Sequence, residues 1–201
     1  RVIELGRALV TGFPFVMLDE PASGLDNTET DRFAQLLREP KAEGRCFYRR
    51  RERNIGKKAG NIEDFVSRSG GAYDYALILD ADSLMAGETI VALARRMDDD
   101  PRLGLVQTVP EVINAHSMFG RLMQFSAAYL SPFFARGIAA MQGEEGPYWG
   151  HNAIVRMTAF ATSCGLPVLS GKPPAGGHIL SHDYVEAALL SRAGWKVEVD
   201  P

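Results

Sequence analysis

The sequence predicts an α/β fold, in which a mostly parallel sheet is flanked by helices. Two apolar runs typical of buried strands, Tyr75 to Leu79 and Leu103 to Gln107, enclose residues 90–97, where apolar side chains recur with helical spacing. A second helix–strand pair follows at 184–192 and 195–199. Strands that alternate with helices usually form a parallel sheet, and such sheets bind ligands at the carboxyl ends of their strands.

The first 39 residues form a separate helix–strand–helix pattern. Apolar spacing predicts helices over residues 2–10 and 31–39 and a strand over residues 13–18. We therefore expect two units, residues 1–40 and residues 41–201. The second unit opens on a short helix with Ile62, Phe65 and Val66 on one face.

Composition excludes several classes of protein. The chain has 201 residues and a net charge of −3, which gives no global basic field for nucleic acid. Its two cysteines form no disulfide framework, which is typical of a reducing environment. The most apolar stretch, residues 118–141, is interrupted by two arginines and a proline, so we expect it to lie on a membrane or against other helices instead of spanning a bilayer. We expect the chain to be a fragment of a longer protein.

The motif Asp80-Ala81-Asp82 closes the strand at 75–79. Two carboxylates one residue apart at a strand end suit Mg²⁺ or Mn²⁺ holding a diphosphate, because these hard cations prefer oxygen ligands. Aspartate after a strand is also common turn chemistry, so the motif alone leaves both interpretations open.

A basic cluster precedes this strand. It comprises Arg49, Arg50, Arg51, Arg53, Lys57 and Lys58. Gly56 and Gly60 allow close backbone approach to a phosphate, and Asn61 can open the following helix. An anion site and a solvated basic stretch are both compatible with this pattern.

Two polar motifs follow later strands or loops. Gln107-Thr108-Val109-Pro110 ends a strand, and Tyr148-Trp149-Gly150-His151-Asn152 follows a glycine-rich stretch. An aromatic pair beside polar groups suits a sugar, although Trp149 can equally pack in the core.

Ser181-His182-Asp183 leads into the helix at 184–192. Asp183 can cap this helix or act as a general base towards a hydroxyl. The histidines at 151, 178 and 182 match no common zinc spacing.

Residues 1–39 closely resemble a segment of the ATPase subunit of ABC transporters. Residues 16–21 (VMLDEP) resemble its Walker B strand, and residues 23–26 (SGLD) resemble the D-loop that follows. The resemblance assigns Mg²⁺ support to Asp19 and water polarisation to Glu20. The phosphate-binding GxxxxGK[ST] loop is absent from the chain, so these two residues have no nucleotide to act on.

From about residue 45 onward, the motifs in their order resemble processive family-2 glycosyltransferases with a GT-A fold. They are Arg51, Lys58-Ala59-Gly60-Asn61, Asp80-Ala81-Asp82, Gln107-Thr108-Val109-Pro110, Gly150-His151-Asn152 and Ser181-His182-Asp183. The stretches 148–156 and 180–190 most resemble the membrane glucosyltransferases that make the β-glucan backbone of osmoregulated periplasmic glucans.

This resemblance implies transfer of glucose from UDP-glucose to a growing β-glucan, with inversion at the anomeric carbon. By match, Asp80 and Asp82 hold Mg²⁺ or Mn²⁺ and the diphosphate. Arg51, Lys58 and Asn61 support the nucleotide sugar. Asp183 deprotonates the acceptor, and the acceptor site is lined by Gln107, Trp149, Gly150, His151 and Asn152.

The resemblance also implies a setting: the cytoplasmic face of the bacterial inner membrane, beside membrane helices of the parent protein. Two family elements are not matched. The aspartate that contacts uridine is expected before Arg45, where the ABC-like segment stands, and the Q/R-x-x-R-W segment is expected past Pro201. The activity of this chain, and the alternatives of an ABC-type ATP-binding fragment or a non-catalytic chimeric product, therefore stay open.

Overall fold

This computed structural model describes residues 17–19, 51–80, 83–172 and 176–201. Its strands are β1 Met17–Asp19, β2 Tyr75–Asp80, β3 Leu103–Thr108, β4 Ala153–Arg156 and β5 Lys196–Asp200. Its α-helices are α1 Lys57–Ser69, α2 Gly87–Asp99, α3 Met118–Gln142, α4 Met157–Ser163 and α5 Asp183–Arg192. A short 3₁₀ turn, Gly70–Ala72, links α1 to β2.

The described strands form one mixed sheet in the order β1-β2-β4-β3-β5. β1 pairs parallel with β2, β3 pairs parallel with β5, and β4 pairs antiparallel with both β2 and β3. Four of the five strands therefore point the same way, which confirms the predicted α/β fold with a mostly parallel sheet. Strand β4, which is only four residues long, was not predicted from the sequence.

Helices cover both faces of the sheet because strand side chains alternate between its two sides. On one side Ile78, Leu105, Val155 and Val197 pack with residues of α1, α4 and α5. On the other side Leu77, Leu79 and Ile154 pack against α2 through Leu93 and Met97. The helices predicted around residues 62–66, 90–97 and 184–192 are confirmed as α1, α2 and α5.

The amino-terminal predictions fall mostly outside the described residues. The helices expected over residues 2–10 and 31–39 lie outside them, and of the strand expected over residues 13–18 only Met17 and Leu18 are described. These two residues belong to β1, whose backbone pairs with Ile78, Leu79 and Asp80 of β2. The proposed boundary at residue 40 stays a prediction.

Helix α3 differs from the other helices. It has 25 residues, begins at the N-cap Ser117, whose hydroxyl accepts a hydrogen bond from the Gly120 amide, and contains Pro132. Ala135 is the one buried residue of this helix. The helix contacts the sheet at β5. In the part of the chain that the structure describes, no helix is both long and apolar enough to cross a membrane.

Substitution of Met97 tests the packing of α2 on the sheet. Met97 is fully buried, so Met97→Ala should leave a cavity and lower the free energy of unfolding by about 2–5 kcal/mol. Val91→Ala is the matched control, because Val91 lies on the same helix and is 46% exposed; it should change stability by no more than about 0.5 kcal/mol. Urea denaturation measures both, and equal losses would contradict this packing.

Candidate active site

The reversed strand β4 brings the loop before it to the carboxyl edge of the sheet. Ala153, the first residue of β4, pairs with Ile78 near the end of β2 and with Gln107 near the end of β3. Residues 148–152 therefore lie beside the ends of the parallel strands, where open α/β sheets bind ligands. The predicted motifs at residues 80, 107–108 and 148–152 share this edge.

Asp80 lies between two cationic or potentially cationic side chains. The Lys58 ammonium pairs with its Oδ1 atom, and His151 Nε2 lies 4.0 Å from its Oδ2 atom. The three side chains keep 24–38% of their surface exposed, so a ligand can reach them. The structure thus joins the end of β2, the first turn of α1 and the loop before β4.

Asp183 lies directly against Gly150 of the same loop. A Cβ atom added to Gly150 would stand 3.5 Å from Asp183 Cβ and 3.6 Å from Oδ2, and Gly150 has φ +82°. Glycine suits this position because it adopts the left-handed conformation at little cost and leaves room for the carboxylate. The carboxylate is half-buried and accepts a hydrogen bond from the Ser181 hydroxyl at 3.3 Å.

Asp183 is the first residue of α5 and is not its cap. The N-cap residue is His182, and no side-chain hydrogen bond caps this end of the helix. The capping interpretation of Asp183 is therefore corrected: helix α5 begins one residue earlier than predicted, and the carboxylate is directed to Ser181 and Gly150.

Gln107 fastens the loop to the sheet. Its side chain is fully buried; Nε2 donates to the carbonyl oxygens of Thr108 and His151 at 2.9 Å, and Oε1 accepts from the Trp149 amide at 2.8 Å. The sequence motif predicted Gln107 on the acceptor surface. The structure places it behind the loop, because its amide is used by the backbone groups that β4 leaves unpaired.

The two aromatic residues Tyr148 and Trp149 differ in burial. Tyr148 is fully buried in the core, whereas Trp149 is half-buried and is not part of the core clusters. Asn152 is buried at φ +51°, a conformation that asparagine tolerates, and its Oδ1 lies 3.1 Å from His151 Nδ1. Trp149 and His151 are therefore the members of this loop with exposed side-chain surface.

Arg51 organises the loop before α1. Its guanidinium donates to the Ile55 and Lys57 carbonyl oxygens at 2.8 and 2.7 Å and to Asn54 Oδ1 at 2.6 Å. The first helical residue is Lys57, after Gly56 at φ +68°. Asn61 therefore does not open this helix as the sequence suggested, because the loop held by Arg51 starts the helix four residues earlier.

A buried polar pair lies in the first turn of α5, next to Asp183 in the chain. His182 Nδ1 and Glu186 Oε2 lie 2.8 Å apart, and the two residues are only 4% and 2% exposed. Burial raises the pKa of Glu186; the nearby Asp183 carboxylate acts in the same direction, whereas His182 and Lys58 oppose the rise.

Tyr148 and Cys164 complete this buried layer. The Tyr148 ring meets the His182 ring edge-on at 6.5 Å, and its hydroxyl is buried without a hydrogen-bond partner among the described groups. Burial and the surrounding carboxylates raise the pKa of Tyr148, and burial raises that of the Cys164 thiol. Both side chains are therefore neutral at physiological pH.

Glu186 was given no role from the sequence, and Tyr148 was considered only with Trp149, as an aromatic pair that suits a sugar. The spacing of His182 and Glu186, four residues apart at the start of a helix, is a signal that could have found the pair. No comparable signal distinguishes Tyr148 from its neighbour Trp149, because both are large aromatic residues.

Three predicted residues cannot be placed. Asp82 and Glu20 lie outside the described residues, and only the backbone of Asp19 is described, opposite Asp80 in the sheet. Within the described ranges, no three His, Cys, Asp or Glu side chains form a group that could hold a metal ion. Of the two predicted metal ligands Asp80 is described, and its oxygens face Lys58 and His151.

Most of the chain matches a known family. Residues 25–163 match the family described as Glycosyl transferase family 2. The matched range begins inside the predicted first unit and ends before Asp183.

Curated relatives match an even larger part of the chain. The chain is 68% identical over 168 residues to "Glucans biosynthesis glucosyltransferase H" of Cereibacter sphaeroides, which covers 84% of this chain and 28% of that protein. It is 48% identical over 187 residues to the protein of the same name from Xanthomonas campestris pv. campestris, covering 93% of this chain and 29% of the relative. It is also 48% identical over 185 residues to the protein of the same name from Shewanella baltica, covering 92% of this chain and 25% of that relative.

The chain therefore spans between a quarter and a third of the length of these relatives. All three carry a glucosyltransferase name, so the alternative of an ABC-type ATPase fragment receives no support. The resemblance of residues 1–39 to such an ATPase stays a prediction.

Gln107→Leu tests how the loop is held. It should lower the free energy of unfolding by about 1–3 kcal/mol, because it leaves the buried Trp149 amide without its acceptor. Hydrogen exchange at the Trp149 amide should become faster. Thr108→Val is the matched control. It removes the hydrogen bond from Thr108 Oγ1 to the Asn152 carbonyl oxygen, and that oxygen still accepts a hydrogen bond from the Thr108 amide. Unchanged exchange at Trp149 in Gln107→Leu would contradict this role.

Glu186→Gln tests the buried pair through pH. Folded Glu186 holds its proton more tightly than the ordinary value of 4.5 implies, so its contribution to stability is complete below that pH and is lost as pH rises through the folded-state pKa. The variant lacks this loss. Its free energy of unfolding minus that of the wild type should therefore increase as pH rises above 4.5.

Urea denaturation at several pH values measures this difference. Glu63→Gln, on the exposed side of α1, controls for the loss of one negative charge. A difference that decreases with pH for Glu186→Gln would show that the buried carboxylate is stabilised as an anion instead.

Proposed function

Because this chain belongs to glycosyl transferase family 2, we propose that it is part of the catalytic domain of a glucosyltransferase that extends a β-glucan from UDP-glucose. The observation that carries this proposal is the juxtaposition at one sheet edge of the Lys58–Asp80 pair, His151, Gly150 and Asp183. In this proposal a base, a cation and partly exposed hydrogen-bonding groups would face the bound substrate together. The names of the relatives support glucose as the transferred sugar and a glucan as the product.

The donor side consists of Lys58, Asp80 and the loop held by Arg51. The Lys58 ammonium supplies positive charge next to the end of β2, where a diphosphate would lie. Arg51 supports this side by fixing the turn that presents Lys57 and Lys58, since its own donors are taken by the loop. Asn61 lies in the second turn of the same helix.

Asp80 and Asp82 would hold Mg²⁺ or Mn²⁺ together with the diphosphate. The oxygen chemistry of Asp80 fits such an ion, and its carboxylate is partly exposed. The bound cation would neutralise the negative charge that develops on the departing UDP.

Asp183 is the proposed general base. An acceptor hydroxyl beside Gly150 would give its proton to an Asp183 oxygen as its own oxygen attacks the anomeric carbon of glucose. The new C–O bond forms as the bond to the diphosphate breaks, and attack from the opposite side inverts the configuration. The Ser181 hydroxyl donates to this carboxylate and helps to orient it.

The acceptor side is the exposed face of the 149–152 loop. Trp149 offers an aromatic face for sugar C–H groups, and His151 offers a ring nitrogen to hydroxyls. Gly150 and Asn152 supply the backbone shape, and Gln107 supports them from the sheet. In the parent protein we place this domain at the cytoplasmic face of the bacterial inner membrane, beside membrane helices.

Asp183→Asn separates binding from catalysis. The variant should bind UDP with Mn²⁺ as the wild type does, because Asp183 lies on the acceptor side. It should lose glucose transfer by about a hundredfold or more, because an amide cannot accept the proton. Calorimetry measures binding, and incorporation of labelled glucose from UDP-glucose measures transfer.

Asp99→Asn, in the last turn of α2, is the control for removal of one carboxylate and should change neither quantity. Near-normal transfer by Asp183→Asn would make Asp183 structural. Stabilisation of the wild type by ATP instead of UDP would contradict the proposed function itself.

A further inference from the structure

The start of helix α5 is held from inside the protein. Its N-cap residue, His182, makes no side-chain capping bond, although the first amides of a helix commonly receive one from Ser, Thr, Asp or Asn. Instead the Glu186 amide donates to the His182 carbonyl oxygen at 2.8 Å, and Glu186 Oε2 lies 2.8 Å from His182 Nδ1. Glu186 therefore holds the residue that precedes Asp183 through both its backbone and its side chain.

Glu186 is itself fixed by the neighbouring helix. It is buried, and its carbonyl oxygen accepts a bond from Cys164 Sγ, at the end of α4, at 3.7 Å. Ala187 and Leu190, which follow on α5, belong to the same core cluster as Cys164. Because α4 and α5 share this core, Glu186 cannot shift without disturbing the packing of both helices.

The loop before β4 and helix α5 meet at two depths. In the interior, the Tyr148 and His182 rings make an edge-on contact with centroids 6.5 Å apart and planes at 68°. Towards the surface, a Cβ atom on Gly150 would stand 3.5 Å from Asp183 Cβ. The buried contact lies one residue before Asp183 on the helix and two residues before Gly150 on the loop. The orientation of the His182 ring therefore bears directly on how the carboxylate stands against the loop.

The polar pair gives this place in the core something that apolar side chains do not. Burial of polar groups costs solvation, and well-packed apolar residues of similar volume often stabilise a core as well or better. Ala187 and Leu190 show that apolar residues fill the adjoining positions of α5. A hydrogen bond to Nδ1, in contrast, allows the His182 ring only one orientation, since its geometry is directional. The pair thus selects one arrangement of the helix start.

We propose that Glu186 is a positioning residue for the glucosyl transfer, acting through His182 on the place of Asp183. Its carboxylate and the Tyr148 ring fix the imidazole between them, and the fixed imidazole sets where the first residue of α5 stands relative to Gly150. This role rests on the proposed function, because it serves transfer only if Asp183 is the base. A small displacement of a base slows proton transfer, since the reaction needs hydrogen-bond geometry.

NMR spectroscopy of the whole chain tests the positioning without any need for transfer. Glu186→Leu and Glu186→Asp, which remove or shorten the contact with His182, should shift the signals of the Gly150 amide and the Asp183 carboxyl carbon. Glu186→Gln should leave both signals close to those of the wild type, because its amide can still hydrogen-bond to Nδ1. Glu186→Asp keeps the test valid if Glu186→Leu does not fold.

Kinetics of the parent protein test the consequence. In Glu186→Leu and Glu186→Asp, kcat for transfer from UDP-glucose should fall at least about tenfold, with KM for UDP-glucose unchanged within about twofold. Glu186→Gln should keep at least about half of the wild-type kcat. Addition of Glu186→Leu to Asp183→Asn should cause no further loss, because Glu186 acts only through Asp183.

Met97→Ala is the control for loss of stability alone, because Met97 is fully buried and packs on the other side of the sheet. It should move neither NMR signal and should leave kcat unchanged at temperatures where the protein stays folded.

Unmoved Gly150 and Asp183 signals in the folded Leu and Asp variants of Glu186 would overturn the proposal. Equal losses of transfer in Glu186→Gln and Glu186→Leu would do the same. Normal transfer by Glu186→Leu beside an inactive Asp183→Asn would reject the positioning role and leave the proposed function standing. If the wild-type parent transfers no glucose, the proposed function fails, and the NMR shifts still decide whether Glu186 positions Asp183.

Discussion

The reversed direction of β4 is the constraint on which the candidate site depends. A strand that enters the sheet from the carboxyl edge must be preceded by a loop at that edge, and here the loop carries residues 148–152. With a parallel strand in this position, the loop would lie at the opposite end of the sheet, far from Asp80 and Asp183. One antiparallel strand in the middle of parallel neighbours thus adds a wall to the edge at which we propose that the substrate binds.

The loop keeps its shape because the buried side-chain amide of Gln107 bonds to backbone groups that are not paired in the sheet. Gln107 contacts three backbone groups of the loop and of its own strand end, and Thr108 adds a bond of 2.6 Å to the Asn152 carbonyl. Residues 150 and 152 both have positive φ, which only glycine and asparagine adopt readily. Gln107 looked like a ligand-binding residue in the sequence. In the structure its side chain instead holds the backbone of the loop that carries Trp149 and His151.

Elements with strong periodicity and residues with distinctive chemistry could be predicted from the sequence. The Leu93 and Met97 stripe located α2. The positions of Asp82, Lys58 and Asp183 at strand ends and helix starts predicted a shared cleft, and because Asp82 lies outside the described residues this stays a prediction. Strand β4 was missed, since four residues give too little alternation to identify a strand. Gln107 was assigned to the surface, because the bonding of a polar side chain depends on which distant backbone groups are left unpaired, and local pattern does not reveal that.

The segments that meet at the site are widely separated along the chain, and this has a consequence for folding. Lys58, Asp80, the 148–152 loop and Asp183 come together only after strands distant in sequence have paired, and β5 joins the sheet beside β3 across some 90 residues. Pairings over such separations close large loops and form late in folding. During synthesis α5 and β5 emerge after the strands with which they pack. We therefore expect the edge that carries the chemistry to be the final part of the domain to acquire its native order.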